Sequence, residues 1–234
     1  MTGVLPEGDE KRKAVQAMFD TIAPRYDLVN RVMTFRMDVG WRRRAVRELG
    51  LAPGSLVIDL ASGTGDLCHD LVRASLRPVA VDLSLGMLQH ATHGHARVQG
   101  DGMALPFATG SVDGAACGFA LRNFVALPPV LGELARVIRP GGRIALLDVS
   151  VPANPLLRVG HGVYFGRVVP LIGGLLSDGA AYRYLPKSVA YLPAPAELLA
   201  MVRASGFTTV ERTQLSTGIS QLICATRDHD RPAQ

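Results

Sequence analysis

Cysteine is scarce in this sequence: 234 residues hold three, Cys68, Cys117 and Cys224, an odd number set far apart. That excludes a disulfide framework and offers no zinc-ligand spacing, and it points to a reducing compartment, the cytosol. Lysine is also nearly missing, found only at 11, 13 and 187, so the formal charge of +5 rests on arginine. Such a balance admits nucleic acid or an anionic membrane as partner. Aromatic residues make up only 6% of the chain and do not interleave with a basic stripe, so nucleic acid is set aside. No apolar run reaches the roughly 20 residues that a bilayer span requires; the nearest, 163–176, is broken by Arg167, Pro170 and Gly173-Gly174. The first ten residues lack a basic segment followed by an apolar core, and no signal peptide is expected. There is no internal repeat and no G-x-S-x-G elbow of a hydrolase. His90, His93 and His95 cluster without a carboxylate or cysteine at ligand spacing, so no metal is expected.

What is present is organised around Val57-Ile58-Asp59-Leu60-Ala61-Ser62-Gly63-Thr64-Gly65-Asp66. A short β-branched run predicts a buried strand, Gly63 and Gly65 a tight turn, and Asp66 the N-cap of a helix that continues through Leu67 and Leu71. Glycine lets the backbone approach a ligand closely, and the helix start offers unpaired N–H donors. A dinucleotide fingerprint needs a third glycine, but Cys68 stands there. Asp66 would repel a pyrophosphate and suit a ligand bearing an ammonium group; a purely structural strand turn is the alternative. Val79-Ala80-Val81-Asp82 ends a second strand about twenty residues on, where Asp82 is placed to accept two ribose hydroxyls, a feature shared with dehydrogenases. Ser84 to Leu88 then open a helix, and Gly100-Asp101-Gly102-Met103 follow a third strand.

The remaining elements read in order. Val15, Met18, Phe19 and Ile22 lie one helical turn apart, Pro24 interrupts, and Leu28, Val32 and Met33 resume; a further helix runs from about Asp38 to Leu49 and stops at Gly50. Ser111–Phe119 and Arg143–Val149 predict strands four and five, with an amphipathic helix through Val130, Leu131, Leu134 and Val137 between them. Residues 151–192 are apolar, Gly-rich and irregular, including His161, Tyr164, Phe165, Tyr182 and Tyr184. A helix from Ala196 to Ala204 and paired strands at Thr208–Arg212 and Ile219–Thr226 complete the chain. Arg42-Arg43-Arg44 with Arg47 forms the one tight basic cluster, read either as a solvated helix face or as contact with a membrane surface.

The D-L-A-S-G-T-G-D turn resembles motif I of class I S-adenosylmethionine (SAM) dependent methyltransferases. F-D-x-I-A-x-x-Y-D-x-x-N at 19–30, Trp41-Arg42-Arg43, F-A-L-R-N at 119–123, R-V-I-R-P-G-G at 136–142 and Y-R-Y-L-P-K-S at 182–188 narrow this to a resemblance to the ubiquinone/menaquinone biosynthesis C-methyltransferases over residues 15–220. The resemblance implies a Rossmann-like α/β domain: a seven-stranded, mostly parallel sheet with helices on both faces and an N-terminal helical lid. The chain divides into the lid (1–50), a SAM-binding core (51–150), a substrate-side insertion (151–192) and a C-terminal helix and strand pair (193–228).

SAM is the implied cofactor, held by Tyr26, Ala61, Gly63, Thr64, Gly65, Asp82, Leu83, Met87, Asp101, Gly102, Met103 and Gly118, with Asp101 accepting from the adenine amino group. The implied acceptor is an apolar small molecule, a demethylated prenyl quinol. Arg122 is expected to favour its phenolate, Asp148 or a water held by Arg122 to act as base, and Asn123 and Tyr184 to orient the ring hydroxyls. Arg122 merely pairing with Asp148 is the alternative. A cytoplasmic enzyme in peripheral contact with a membrane is implied, with a homodimer left open. The acceptor side departs from the family pattern at Asp38-Val39-Gly40, Ala120, Asp148 and 218–224, so another phenolic or prenylated acceptor is the rival; a non-catalytic SAM-binding module is the alternative outside enzymes.

Overall fold

The computed structural model describes residues 7–91, 94–176 and 188–229. Seven strands, β1 (Leu56–Leu60), β2 (Arg77–Asp82), β3 (Ala96–Gln99), β4 (Val112–Gly118), β5 (Ile138–Val149), β6 (Phe207–Leu215) and β7 (Ser220–Arg227), form one sheet in the order β3-β2-β1-β4-β5-β7-β6. The first five are parallel; β7 runs antiparallel to β5 and β6. The chain moves outward from β1 through β2 to β3, then crosses back to β4. A crevice therefore opens at the carboxyl ends of β1 and β4, where open α/β sheets hold their ligands.

Apolar strands buried on both sides require helices on both faces. Against one face pack α6 (Leu127–Val137) and α9 (Pro195–Ala204), burying Val130, Leu134, Leu198 and Val202. Against the other lie α3 (Met37–Leu49) and α4 (Asp66–Arg73), through Trp41, Leu49, Leu67 and Leu71. α3 ends where Gly50 turns left-handed, at φ 64°, as its glycine predicts. Two earlier helices, α1 (Gly8–Ile22) and α2 (Tyr26–Met33), separated by a 3₁₀ turn at Ala23–Arg25, share a smaller apolar cluster with Met87 of α5 (Leu85–His90) and Val169.

Three local readings change. Asp66 is the first residue of α4 and not its cap; Gly65 takes that place at φ 89°, a left-handed conformation that glycine adopts without steric cost. β5 begins at Ile138, so the Pro140-Gly141-Gly142 turn is a bulge in a longer strand, with the register against β4 shifting between Val112 and Gly114. Residues 155–176 are helical throughout. α7 (Pro155–Val163), capped by the Asn154 side chain accepting from the Leu156 and Leu157 amides, passes through a π turn (Tyr164–Val168) into α8 (Val169–Leu176). Tyr182 and Tyr184 lie outside the described residues.

The arginine cluster on α3 is mostly neutralised within the protein. Arg42 is buried against Asp38, Asp66 at 3.1 Å and Asp70 at 3.4 Å, Arg43 approaches Asp70 and Arg44 pairs with Glu48. Asp66 also faces Arg31 at 3.4 Å, so two guanidinium groups meet its charge within the protein. No helix among the described residues is long and apolar enough to cross a membrane.

Candidate active site

Two cavities open at the carboxyl end of the sheet. The first lies between the ends of β1, β2 and β4 and the overlying α1, and it brings together Tyr26, Ala61, Gly63, Asp82, Leu83, Met87, Asp101, Gly102, Met103 and Gly118. Of the residues expected to hold the donor, Thr64 and Gly65 alone are missing from its lining. Thr64 is buried, its hydroxyl donating to Asp27 of α2, while Gly65 shapes the turn.

Asp82 is the electrostatic centre of this cavity. Its Oδ2 accepts from the Gly63 amide at 2.7 Å and its Oδ1 from the Ser84 amide at 2.8 Å. Burial raises its pKa above the ordinary carboxylate value against the opposing pull of those amides. Each oxygen keeps a second lone pair, which suits a pair of vicinal hydroxyls. Asp101 accepts from the Met103 amide at 2.9 Å, and its other oxygen lies 3.5 Å from Arg12. Gly102 is required here, because a Cβ would stand 2.9 Å from the Phe124 ring and 3.3 Å from Leu60. The Tyr26 ring covers the glycine turn, 3.8 Å from where a Gly63 Cβ would lie, and burial pushes its phenol up to about 12. A buried diol acceptor beside a flat, largely apolar slot fits the ribose and purine of SAM.

α1 contributes more than its sequence suggested. Lys11 donates to the Phe124 carbonyl at 2.6 Å and lies over the Tyr191 ring, and Gln16 donates to the Leu83 carbonyl at 3.2 Å. Asp20 accepts from the Ser84 hydroxyl at 2.5 Å and the Gly86 amide at 2.9 Å, so the Phe-Asp of the 19–30 motif ties α1 to the start of α5. Arg12, Val15, Gln16, Phe19 and Phe124 line the cavity. The helical period over 15–22 signalled a packed face there, but not what it would face.

The second cavity is larger, about 370 Å³, and mainly apolar, bounded by α2, Trp41, Val149 and the helices after β5, including Leu156, His161, Tyr164 and Phe165. Phe19, Tyr26, Phe119 and Asn123 line both cavities and so mark where they meet. Phe119 holds a left-handed φ of 61°, a conformation costly for an aromatic residue. Its amide donates to the Leu147 carbonyl at 2.7 Å and its carbonyl accepts from Arg122 Nη1 at 2.8 Å. Backbone bonds on both sides thus hold this residue at the junction.

Arg122 lines the second cavity. Its Nη1 pairs with fully buried Asp148 and its Nε donates to Ser188 at 3.1 Å, while Nη2 makes no hydrogen bond to the described residues. Asp148 reaches neither cavity lining. Its oxygens accept from Arg122 and from the Val149 amide at 2.7 Å, the geometry of a group that aims Arg122. Tyr184 lies outside the described residues. Trp41 serves two purposes: it packs in the core and lines the cavity, with its indole N–H donating to Ser216 at 2.9 Å. Among the described residues no group of three or more His, Cys, Asp or Glu side chains is placed to hold a metal.

Behind the glycine turn, Asp59 on β1 is 1% exposed. Burial, only partly offset by hydrogen bonds from the Cys68 amide and thiol, pushes its carboxyl from 3.8 up to about 7. The native state therefore keeps a proton that the unfolded chain releases above about pH 4, and this stabilisation is lost as pH rises through about 7. Asp59→Asn removes the ionisation, and at about pH 8 it should raise stability by up to about 4 kcal/mol and the melting temperature by about 5 °C or more. Thermal melts across the pH range check this; a variant melting below the parent at alkaline pH rejects the protonated buried carboxyl.

Comparison with known proteins agrees with this geometry. A profile described as the ubiE/COQ5 methyltransferase family matches residues 7–227. The ubiquinone/menaquinone biosynthesis C-methyltransferase UbiE of Syntrophotalea carbinolica is 44% identical over 219 residues, covering 90% of this chain and 92% of that protein. The demethylmenaquinone methyltransferase of Thermus thermophilus is 42% identical over 217 residues, covering 88% and 97%. In backbone, the chain is similar to the putative methyltransferase complexed with the Haloferax volcanii Trm112 activator, at a TM-score of 0.67, 18% identity, and coverage of 90% of this chain and 98% of that one.

Proposed function

Because the chain belongs to the ubiE/COQ5 methyltransferase family and is a SAM-dependent methyltransferase, we propose that it methylates a ring carbon of a demethylated prenyl quinol of the demethylmenaquinol type. The observation that carries this reading is Arg122, anchored by Asp148 and lining a large apolar cavity that meets the donor cavity at Phe19, Tyr26, Phe119 and Asn123. The names of the relatives, which specify quinone methylation, support the same acceptor.

SAM supplies an electrophilic methyl group on a sulfonium. In this proposal Asp82 accepts both ribose hydroxyls, Asp101 the adenine amino group, and the 61–65 turn with Gly102, Met103 and Gly118 lies along the nucleoside and methionine portions. Leu83, Met87 and Tyr26 close around them. α1 acts as a lid. Its residues Arg12, Val15, Gln16 and Phe19 line the donor cavity, so its seating sets the room left for the nucleoside.

On the acceptor side, the fixed positive charge of Arg122 stabilises the phenolate, which makes the carbon ortho to it electron-rich enough for in-line displacement at the methyl group. Its Nη2 faces no competing hydrogen bond among the described residues. Asn123, at the junction, orients a ring hydroxyl, and Asp148 positions Arg122. The ring proton displaced on methylation passes to a water held by Arg122, since Asp148 does not line the cavity. Tyr184 keeps an orienting role on the strength of the sequence resemblance alone. A cytoplasmic enzyme in peripheral contact with a membrane would reach such an apolar acceptor; homodimer formation is the competing use of its apolar surface.

Purified protein given labelled SAM and demethylmenaquinol should yield a quinol heavier by one methylene with the label on ring carbon, as read by mass spectrometry. A panel of other phenols run alongside tests the rival acceptor, which the departures at Ala120 and Asp148 motivate. Labelling of another phenol with none on the quinol overturns the assignment.

A further inference from the structure

The helices that wall the acceptor cavity are apolar on both sides. Gly160, His161, Tyr164, Phe165 and Val169 line the cavity. On the outer side, Val159, Val163, Val168, Leu171 and Leu175 are exposed, Val159 at 67% and Leu175 at 77%, and Leu156 at the cavity rim, 80% exposed, begins the same row. Their spacing of three and four residues is that of one helical face, except for the five-residue step from Val163 to Val168. That step falls on the π turn, where i→i+5 bonding inserts one extra residue into the helix, so an α-helical step of four becomes five. The turn therefore keeps the two halves of the stripe in line across 155–176. A helix pair with apolar side chains on two faces is ordinarily enclosed on both, and here one of the two is open.

The stripe continues into the cavity mouth. Phe35, Met37, Leu156 and Leu157 both line the cavity and are exposed, Phe35 at 70%. Phe35 stands on the left-handed corner between α2 and α3, its ring centroid 5.9 Å from that of Tyr164. Charge on these segments has one sign. Residues 151–176 contain Arg158 and Arg167 and no Asp or Glu, and residues 28–37 contain Arg31 and Arg36 and no Asp or Glu. Arg36, Arg158 and Arg167 have no ion-pair partner among the described residues; Arg158 donates only to the Pro152 and Ala153 carbonyls. Arginines flanking an apolar stripe can keep their heads among anionic headgroups while the stripe sinks into the acyl boundary, at about 1 kcal/mol per charge.

We propose that the outer stripe of α7 and α8, with the Phe35 corner, docks on an anionic lipid bilayer and brings the mouth of the acceptor cavity against the acyl region. The inference rests on the reading of the acceptor as a prenylated quinol and adds the route by which it arrives: its tail enters from the bilayer without crossing water. The membrane face is thus the 155–176 helices and not the arginines of α3, whose charges are largely met within the protein.

Flotation of the full chain with phosphatidylcholine vesicles, with and without phosphatidylglycerol, tests this. The wild type should float with the anionic vesicles and dissociate as salt is raised. Leu171→Glu with Leu175→Glu, both outside the cavity lining, should weaken binding by about tenfold or more while leaving methylation of a short-tailed, water-soluble quinol within about twofold. Equal flotation of variant and wild type overturns the proposal. So does sedimentation showing a wild-type dimer that the variant converts to monomer without vesicle binding by either, since a second copy then covers the face. If vesicle binding behaves as expected but neither protein methylates any quinol, the docking face stands and the acceptor assignment fails.

Discussion

Arg122→Ala should lower the turnover number by about 10²–10³-fold while leaving the Kd for SAM within about threefold of the parent. The guanidinium lines the acceptor cavity and not the donor cavity, so its loss removes phenolate stabilisation and spares the nucleoside contacts. It also strands Asp148, fully buried, and breaking a buried pair by deleting one partner costs about 3–5 kcal/mol. Slow turnover alone is therefore open to a trivial cause, misfolding. The double variant Arg122→Met with Asp148→Leu removes both charges, and such apolar replacements are often neutral or stabilising; it should fold, bind SAM by calorimetry and remain as slow as the single variant. Wild-type turnover in a variant that binds SAM would reduce Arg122 to scaffold, the alternative its pairing with Asp148 raises.

Asp82→Ala acts on the other substrate. Two charge-assisted hydroxyl bonds are worth about 1.5–3 kcal/mol each, and the Gly63 and Ser84 amides lose their acceptor at the same time. The Kd for SAM should rise by about 100-fold or more, measured by calorimetry. The raised pKa of Asp82 sets the pH dependence: as pH falls through it the carboxylate takes a proton and loses accepting capacity, so SAM affinity in the parent should weaken towards acid and the variant should lack that slope. An affinity within about threefold of the parent would show that Asp82 only braces the turn. Together the two substitutions separate donor from acceptor, one moving Kd and the other turnover.

Much of the donor side was legible in one dimension because it is built from contiguous stretches. The strand, the glycine turn and Asp82 follow from β-branched runs, from left-handed φ values at Gly63 and Gly65, and from an acid at a strand end. Ten of the twelve expected donor residues line one cavity. Thr64 is absent from that lining, its hydroxyl donating to Asp27, a residue 37 positions earlier, and no local pattern encodes that meeting. The partners of the α3 arginines were hidden for the same reason: Asp66 and Asp70, which pair with Arg42, belong to α4.

By itself the sequence determined the alternation of strands and helices, the glycine turn and the family resemblance, since each is written in residues that are neighbours along the chain. Only the tertiary structure decided that Asp20 and Gln16 tie α1 to the residues after β2 beside the first cavity, and that Asp148 holds Arg122 without lining either cavity. It also decided that the π turn aligns an exposed apolar stripe beside the cavity mouth. The physical reason is common to all three: each depends on which side chains from separate elements come within hydrogen-bonding or van der Waals reach, and that is set by packing against the sheet.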